Sequence, residues 1–98
     1  MPRPLDIRPR ALLAYLGSYP GAIGSSIVAA VYCDLPRATA YRHVKDATTR
    51  GYILRANCPP PGDPHRMAEC PHGSHVHHYV TPALRIEVAR LDRIEARR

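Results

Sequence analysis

The sequence predicts an α+β domain in which a helical half is followed by a β-hairpin and a closing helix. Three observations carry this. Apolar residues recur at helical spacing in three stretches before residue 51, β-rich runs flank a Pro/Gly-rich segment at 58–75, and Thr81-Pro82 opens a last helical pattern. The chain has 98 residues, enough for one domain with one modest core. It has no Trp and no Phe, so six Tyr and the aliphatic side chains must build the interior.

Residues 1–7, with Pro2 and Pro4, read as a flexible N-terminal arm. Residues 8–82 then read as the main domain, and 83–98 as a C-terminal helix. The first helix is expected over 8–19, with Leu12, Leu13 and Leu16 as its apolar stripe, Tyr15 and Tyr19 at its edges and Pro9 in its first turn. Pro20, Gly21 and Gly24 punctuate a loop over 18–24. Ser25 or Ser26 can cap a second helix over 26–33, carrying Ile27, Val28, Ala30 and Val31. Cys33-Asp34-Leu35 is a short link, in which Cys33, beside Val31 and Leu35, is expected to be buried as a small hydrophobe.

The third helix, 36–50, is the most informative stretch. Ala40, Val44 and Ala47 recur at i, i+4 and i+7 and make a small-residue stripe that lets the helix pack close. Arg42, Lys45 and Thr49 fall on the opposite side, with Ala38 and Tyr41 near them. Leu35-Pro36 starts the helix, and Gly51 can end it at no steric cost. Strands are expected over 52–57 and 76–80, the second with Val76, His78 and Val80 on one face and His77 and Tyr79 on the other. The connection over 58–75 far exceeds the two to about five residues common in hairpins. Thr81 then caps, and Pro82 fits the first turn of, a helix over 83–96. Helix, helix, turn, helix, strand, loop, strand, helix is the order of a winged helix-turn-helix.

The formal net charge is +6, and it is unevenly placed. Residues 35–55 hold Arg37, Arg42, Lys45, Arg50 and Arg55 against Asp46 alone. A polyanionic partner fits that placement, and nucleic acid is the usual one. Lys45 is the sole lysine among 14 basic residues, and arginine suits bidentate contact with phosphate and guanine. No apolar run is long enough to span a membrane and no signal-peptide pattern follows Met1-Pro2-Arg3-Pro4, so a cytoplasmic protein with no membrane partner is expected. Three Cys do not make a secreted disulfide scaffold. Without a Gly-rich phosphate loop, a G-x-S-x-G turn or a spaced carboxylate pair in an apolar setting, no enzymatic activity is expected.

Residues 8–84 resemble the winged-helix DNA-binding domains of small regulators of the MarR, PadR and ArsR kind. Ile27 through Leu35 is similar to their positioning helix and turn. Arg37-Ala38-Thr39-Ala40-Tyr41-Arg42-His43-Val44, continued by Arg50-Gly51-Tyr52-Ile53-Leu54-Arg55, is similar to the recognition helix and its exit. His78-Tyr79-Val80-Thr81-Pro82-Ala83-Leu84 resembles the returning wing strand and the start of the last helix. Ala38 to Arg42, with a His-rich strand later, also resembles the DNA-binding half of Fur-type metalloregulators, although their separate dimerisation domain is not expected here.

The resemblance implies double-stranded DNA as partner, with helix 36–50 in the major groove. Arg37, Thr39, Tyr41, Arg42 and Lys45 are the expected contacts there, Arg42 foremost as base reader. Arg55 and the loop residue Arg66 are expected at phosphates or the flanking minor groove. The C-terminal stripe of Leu84, Val88 and Leu91, widened by Ile94, can pack on its own domain or pair with a second subunit, and the homodimer is favoured because one short helix beyond a compact domain often has no other partner; two-fold dimers also match palindromic half-sites. Glu87 and Arg90 are spaced i,i+3 for a local ion pair. Such a chain would be a sequence-specific DNA-binding protein and a dimeric transcriptional repressor. The alternatives are a winged-helix protein-interaction module, such as a replication or partition adaptor, and a metal- or redox-responsive regulator.

That last alternative rests on a Cys/His-rich loop. Cys58, Cys70, His72 and His75 offer two thiolates and two imidazoles, the donor set of a tetrahedral zinc site, with His77 or His78 as substitutes. A Cys58–Cys70 disulfide and free thiols are the competing states.

Overall fold

The computed structural model of the chain describes residues 7–57 and 76–97. In order, its elements are α1 (Pro9–Ser18), β1 (Ala22–Ile23), α2 (Gly24–Val31), α3 (Arg37–Thr49), β2 (Ile53–Asn57), β3 (Val76–Val80) and α4 (Pro82–Ala96). The strands form an antiparallel sheet in the order β1-β3-β2. The fold is therefore α+β, with four helices around a small three-stranded sheet. Among the described residues, no helix is long and apolar enough to cross a membrane.

The core follows the helical stripes. Leu12 and Leu16 of α1, Ile27 and Val31 of α2, and Ala40, Val44 and Ala47 of α3 are buried together with Tyr32, Ile53 and Leu84. Alanine at 40 and 47 leaves no side chain to hold α3 off its neighbours, and α3 packs on α2 and β2. Gly51, at φ +78, turns the chain from α3 into β2, and its N–H donates to the Thr48 carbonyl at 3.0 Å. Thr81 caps α4 through its hydroxyl, which accepts from the Leu84 N–H, and Pro82 occupies the first turn. α4 packs against α1, with Leu84 buried, Val88 and Leu91 half-buried and Ile94 at the exposed edge. Glu87 and Arg90 form the expected i,i+3 pair at 2.5 Å.

Several local expectations are corrected. Residues 22–23 lie in a strand, not a loop. Two residues are too few for a legible alternation, and β1 is held by tertiary hydrogen bonds instead. The Gly21 N–H donates to the His78 carbonyl at 3.0 Å, and Ala22 and Ile23 pair with His78 and His77. Helix α2 starts at Gly24, with Ile23 at its N-cap and no side-chain cap, so Ser25 and Ser26 sit inside its first turn. This earlier phase ends the helix at Val31, buries Tyr32 and leaves Cys33 exposed in the turn rather than buried. Ile7, expected at the end of a flexible arm, is buried in the core and accepts a hydrogen bond from the Tyr32 hydroxyl through its carbonyl. The rest of that arm, residues 1–6, lies outside the described residues.

One device fixes the start of the domain to the α2–α3 turn. Arg8 adopts a left-handed backbone, φ 56 and ψ 61, uncommon for a side chain with a Cβ. Its guanidinium donates to the Val31 carbonyl at 2.9 Å and to both carboxylate oxygens of Asp34, at 2.5 and 2.8 Å, and lies 5.6 Å from the Tyr32 ring centroid. The hydrogen bonds from Arg8 hold the Asp34 carboxyl down at about 2.

Candidate functional site

The exposed side of α3 is built by the same periodicity that buries its other side. Arg37, Tyr41, Arg42 and Lys45 are exposed and Thr39 is half-buried. The structure thus brings five of the sequence-predicted site residues onto one helix. Arg55 is exposed on β2 and lines the same cleft as Lys45. Arg66, Cys58, Cys70, His72 and His75 lie outside the described residues. Among the described residues there is no group of three or more His, Cys, Asp or Glu side chains arranged to hold a metal ion.

The ion pairs explain why this side is strongly cationic. Asp34 pairs with Arg8, Asp92 and Glu95 both pair with Arg10, and Glu87 pairs with Arg90. Asp46, the one acid on α3, has Oδ2 at 2.9 Å from Arg50 Nε, close but without hydrogen-bond alignment. Every described carboxylate is thereby engaged away from Arg37, Arg42, Lys45 and Arg55. These cations, like Arg85, Arg93 and Arg97 of α4, have no carboxylate partner among the described residues, so their field is left for an external anion.

Tyr41 organises the start of this side. The Arg37 guanidinium carbon lies 5.8 Å from the Tyr41 ring centroid. A cation over a ring gains about 0.5–1 kcal/mol at an exposed site. On the α2 side, a Cβ added at Gly24 would stand 3.4 Å from Tyr41 Cε1. Tyr41 is therefore a bracket that rests near the α2 backbone and limits where Arg37 can go.

Between α3, the start of α2 and the sheet lies a cleft of about 530 Å³. α3 contributes Tyr41, Val44, Lys45 and Thr48, and the sheet contributes Arg55, Val76 and His78. Arg55 and His78 are direct cross-strand partners, which puts both on the cleft side of the sheet. His78 is 5% exposed. Its Nδ1 is 3.0 Å from the Ala22 carbonyl, which can only accept, so Nδ1 carries the ring proton and Nε2 is the acceptor of the neutral ring. Burial, and secondarily the nearby Arg55 and His77, push the His78 pKa below its ordinary value, while the Ala22 bond opposes this. His77 is likewise buried, with Nδ1 2.7 Å from the Gly21 carbonyl.

Sequence reasoning missed Ser25, Thr48 and His78 as members of this site. Thr48 had a signal, since Tyr41, Lys45 and Thr48 recur at i, i+4 and i+7. Ser25 and His78 had none, because their place depends on β1 and on the strand register. No protein-family model, no curated protein and no solved structure matches the chain.

Proposed function

We propose that the chain is a winged helix-turn-helix protein that binds double-stranded DNA sequence-specifically and acts as a dimeric transcriptional repressor. The observation that carries this reading is the set of cations on α3 and β2, Arg37, Arg42, Lys45 and Arg55, that have no carboxylate partner among the described residues. The element order supports it: α2 and α3 supply the helix-turn-helix, and β2 and β3 supply the wing.

In this reading α3 enters the major groove. Arg42, exposed and opposite the buried Ala40, Val44 and Ala47, reads a base edge. Arg37, Thr39, Tyr41 and Lys45 complete the contact, and Arg55 meets the phosphate backbone at the groove's edge. The resemblance to MarR-, PadR- and ArsR-type regulators belongs to the same proposal, as does pairing of two copies through α4.

The test is a duplex selected from a random pool, with affinity then measured for Arg42→Ala. Loss of a bidentate base contact costs about 1–3 kcal/mol against the selected duplex and little against a scrambled one. An Arg42→Ala protein that keeps full preference overturns the assignment of α3 as reader. Light scattering of the full chain should give the mass of two copies, and a monomer removes the dimer from the proposal.

A further inference from the structure

We propose that the outer edge of β2 is a docking site for an extended peptide segment that carries an acidic residue between two apolar ones. The sheet order β1-β3-β2 puts β3 in the middle and leaves β2 with one side unpaired. Which backbone groups point out from that side follows from the register. The Thr81 N–H donates to the Tyr52 carbonyl at 3.2 Å, one step beyond the Ile53–Val80 pair, so 52 and 81 are a hydrogen-bonded pair of the antiparallel ladder. Such pairs alternate. Leu54–Tyr79 and Ala56–His77 are the next ones, and Ile53, Arg55 and Asn57 turn their N–H and C=O groups away from β3. The His78 carbonyl agrees, since it accepts from the Gly21 N–H on the β1 side and not from Arg55. Among the described residues, no further backbone hydrogen bond reaches Ile53, Arg55 or Asn57. Arg55 and Asn57 are exposed.

A strand laid antiparallel along β2 meets main-chain donors and acceptors at Arg55 and Asn57, and side chains select its sequence. Arg55 has no carboxylate partner among the described residues, and an Asp or Glu placed directly opposite it makes a cross-strand ion pair. Leu54 lies on the other face of the strand, 58% exposed beside the half-buried Tyr79. An apolar residue on one side of the acid covers Leu54, and its counterpart on the other side lies over Ala56, which has no bulk to hold it off. A second copy of the chain is the wrong occupant. Two β2 strands in the centred antiparallel register set Arg55 against Arg55, like charges in direct opposition. The charge that guards the edge against self-pairing thus selects an acidic strand. The opposite edge of the sheet is β1, two residues that run straight into α2, with no length for docking. The site uses Arg55, which the DNA reading assigns to phosphate, but does not depend on that reading.

The probe is the capped pentapeptide acetyl-TVEVT-amide, titrated into the full chain and followed by amide shifts and hydrogen exchange. Shift changes should saturate and centre on β2. Exchange should slow at the Arg55 and Asn57 amides but not at Leu54 and Ala56, whose N–H groups already bond to β3. N-methylation of the glutamate removes the donor aimed at the Arg55 carbonyl and should weaken binding at least about tenfold. N-methylation of the valine after it, whose N–H points away from β2, should leave binding within about twofold. Glutamine in place of the glutamate should weaken binding about threefold, and Arg55→Gln should erase that difference. Asn57→Pro deletes one outward N–H at an edge position that tolerates proline, and should weaken the peptide about fivefold. Absence of saturable binding, shift changes centred on other residues, or equal losses from the two N-methylated peptides would each overturn the site. So would a duplex that protects the Arg55 and Asn57 amides where the peptide does not, which would leave this edge to nucleic acid. Peptide binding by a chain that binds no duplex upholds the site and removes only the DNA reading.

Discussion

Replacing Gly21 and Gly51, one at a time, by alanine separates backbone strain from packing in the turns that lead into β1 and β2. Both glycines have positive φ, +85 at Gly21 and +78 at Gly51. A Cβ in that region costs about 1 kcal/mol. At Gly51 the new methyl meets nothing within 4 Å, so Gly51→Ala should lose only that strain. At Gly21 it would stand 3.3 Å from the Tyr79 hydroxyl oxygen and 3.6 Å from two ring carbons. That is tight against a half-buried ring, and the shift falls on a residue whose N–H and carbonyl both hold β1 to β3. A total of about 2 kcal/mol is expected for Gly21→Ala. In a domain of this size each 1 kcal/mol moves the melting temperature by about 4–8 °C. Thermal and urea unfolding of the two variants, with unchanged urea slopes, checks the ranking. Equal losses would mean that the Tyr79 contact is immaterial, and no loss at Gly21 would refute the positive-φ turn and with it the anchoring of β1.

Other expectations follow from single contacts. Tyr41→Phe keeps the ring over which Arg37 lies and should keep duplex preference, whereas Tyr41→Ala frees Arg37 and should lower preference by about 0.5–1 kcal/mol in competition binding. His43 stacks on Tyr32 with ring centroids 5.4 Å apart, and its buried Nδ1 has no hydrogen-bond partner among the described residues. His43→Phe retains the stack and removes the unsatisfied atom, so a rise of about 1 kcal/mol in unfolding free energy is expected, and a loss would show the nitrogen to be hydrated. The depressed folded-state pKa of His78 means that the unfolded chain takes up this proton more readily. Its contribution is fully present above the ordinary value of 6.5 and is lost as pH falls below it, so the melting temperature should decline on acidification through that range. A melting temperature that rises over the same range would contradict the burial of a neutral His78.

Much of the architecture is legible in the sequence where one segment carries its own periodicity. Ala40, Val44 and Ala47 set the buried side of α3, and Thr81-Pro82 sets the start of α4 without reference to the rest of the chain. Legibility fails where structure depends on distant partners. β1 exists through its pairing with β3, more than fifty positions away, and the early start of α2 follows from β1. The exposure of Cys33 and the burial of Tyr32 then follow from the phase of α2. The cation pattern of α3 is plain in the sequence, but its lack of carboxylate partners among the described residues is not. That depends on Arg10 reaching Asp92 and Glu95 from α1 to α4, an encounter no local spacing encodes. The cleft is likewise assembled from three separate segments.

The DNA-binding proposal requires that the cations of α3 and β2 that lack a carboxylate partner among the described residues meet a nucleic-acid backbone. The most direct test is the anisotropy-measured affinity for a selected duplex as a function of salt. If Arg37, Lys45 and Arg55 each neutralise a phosphate and displace a counterion, a fourfold rise in salt should weaken binding about fortyfold per protomer, and Lys45→Gln should reduce the slope by about one. An affinity that is flat with salt, or a slope unchanged by Lys45→Gln, would contradict the claim and favour a protein-interaction role for this side of the molecule.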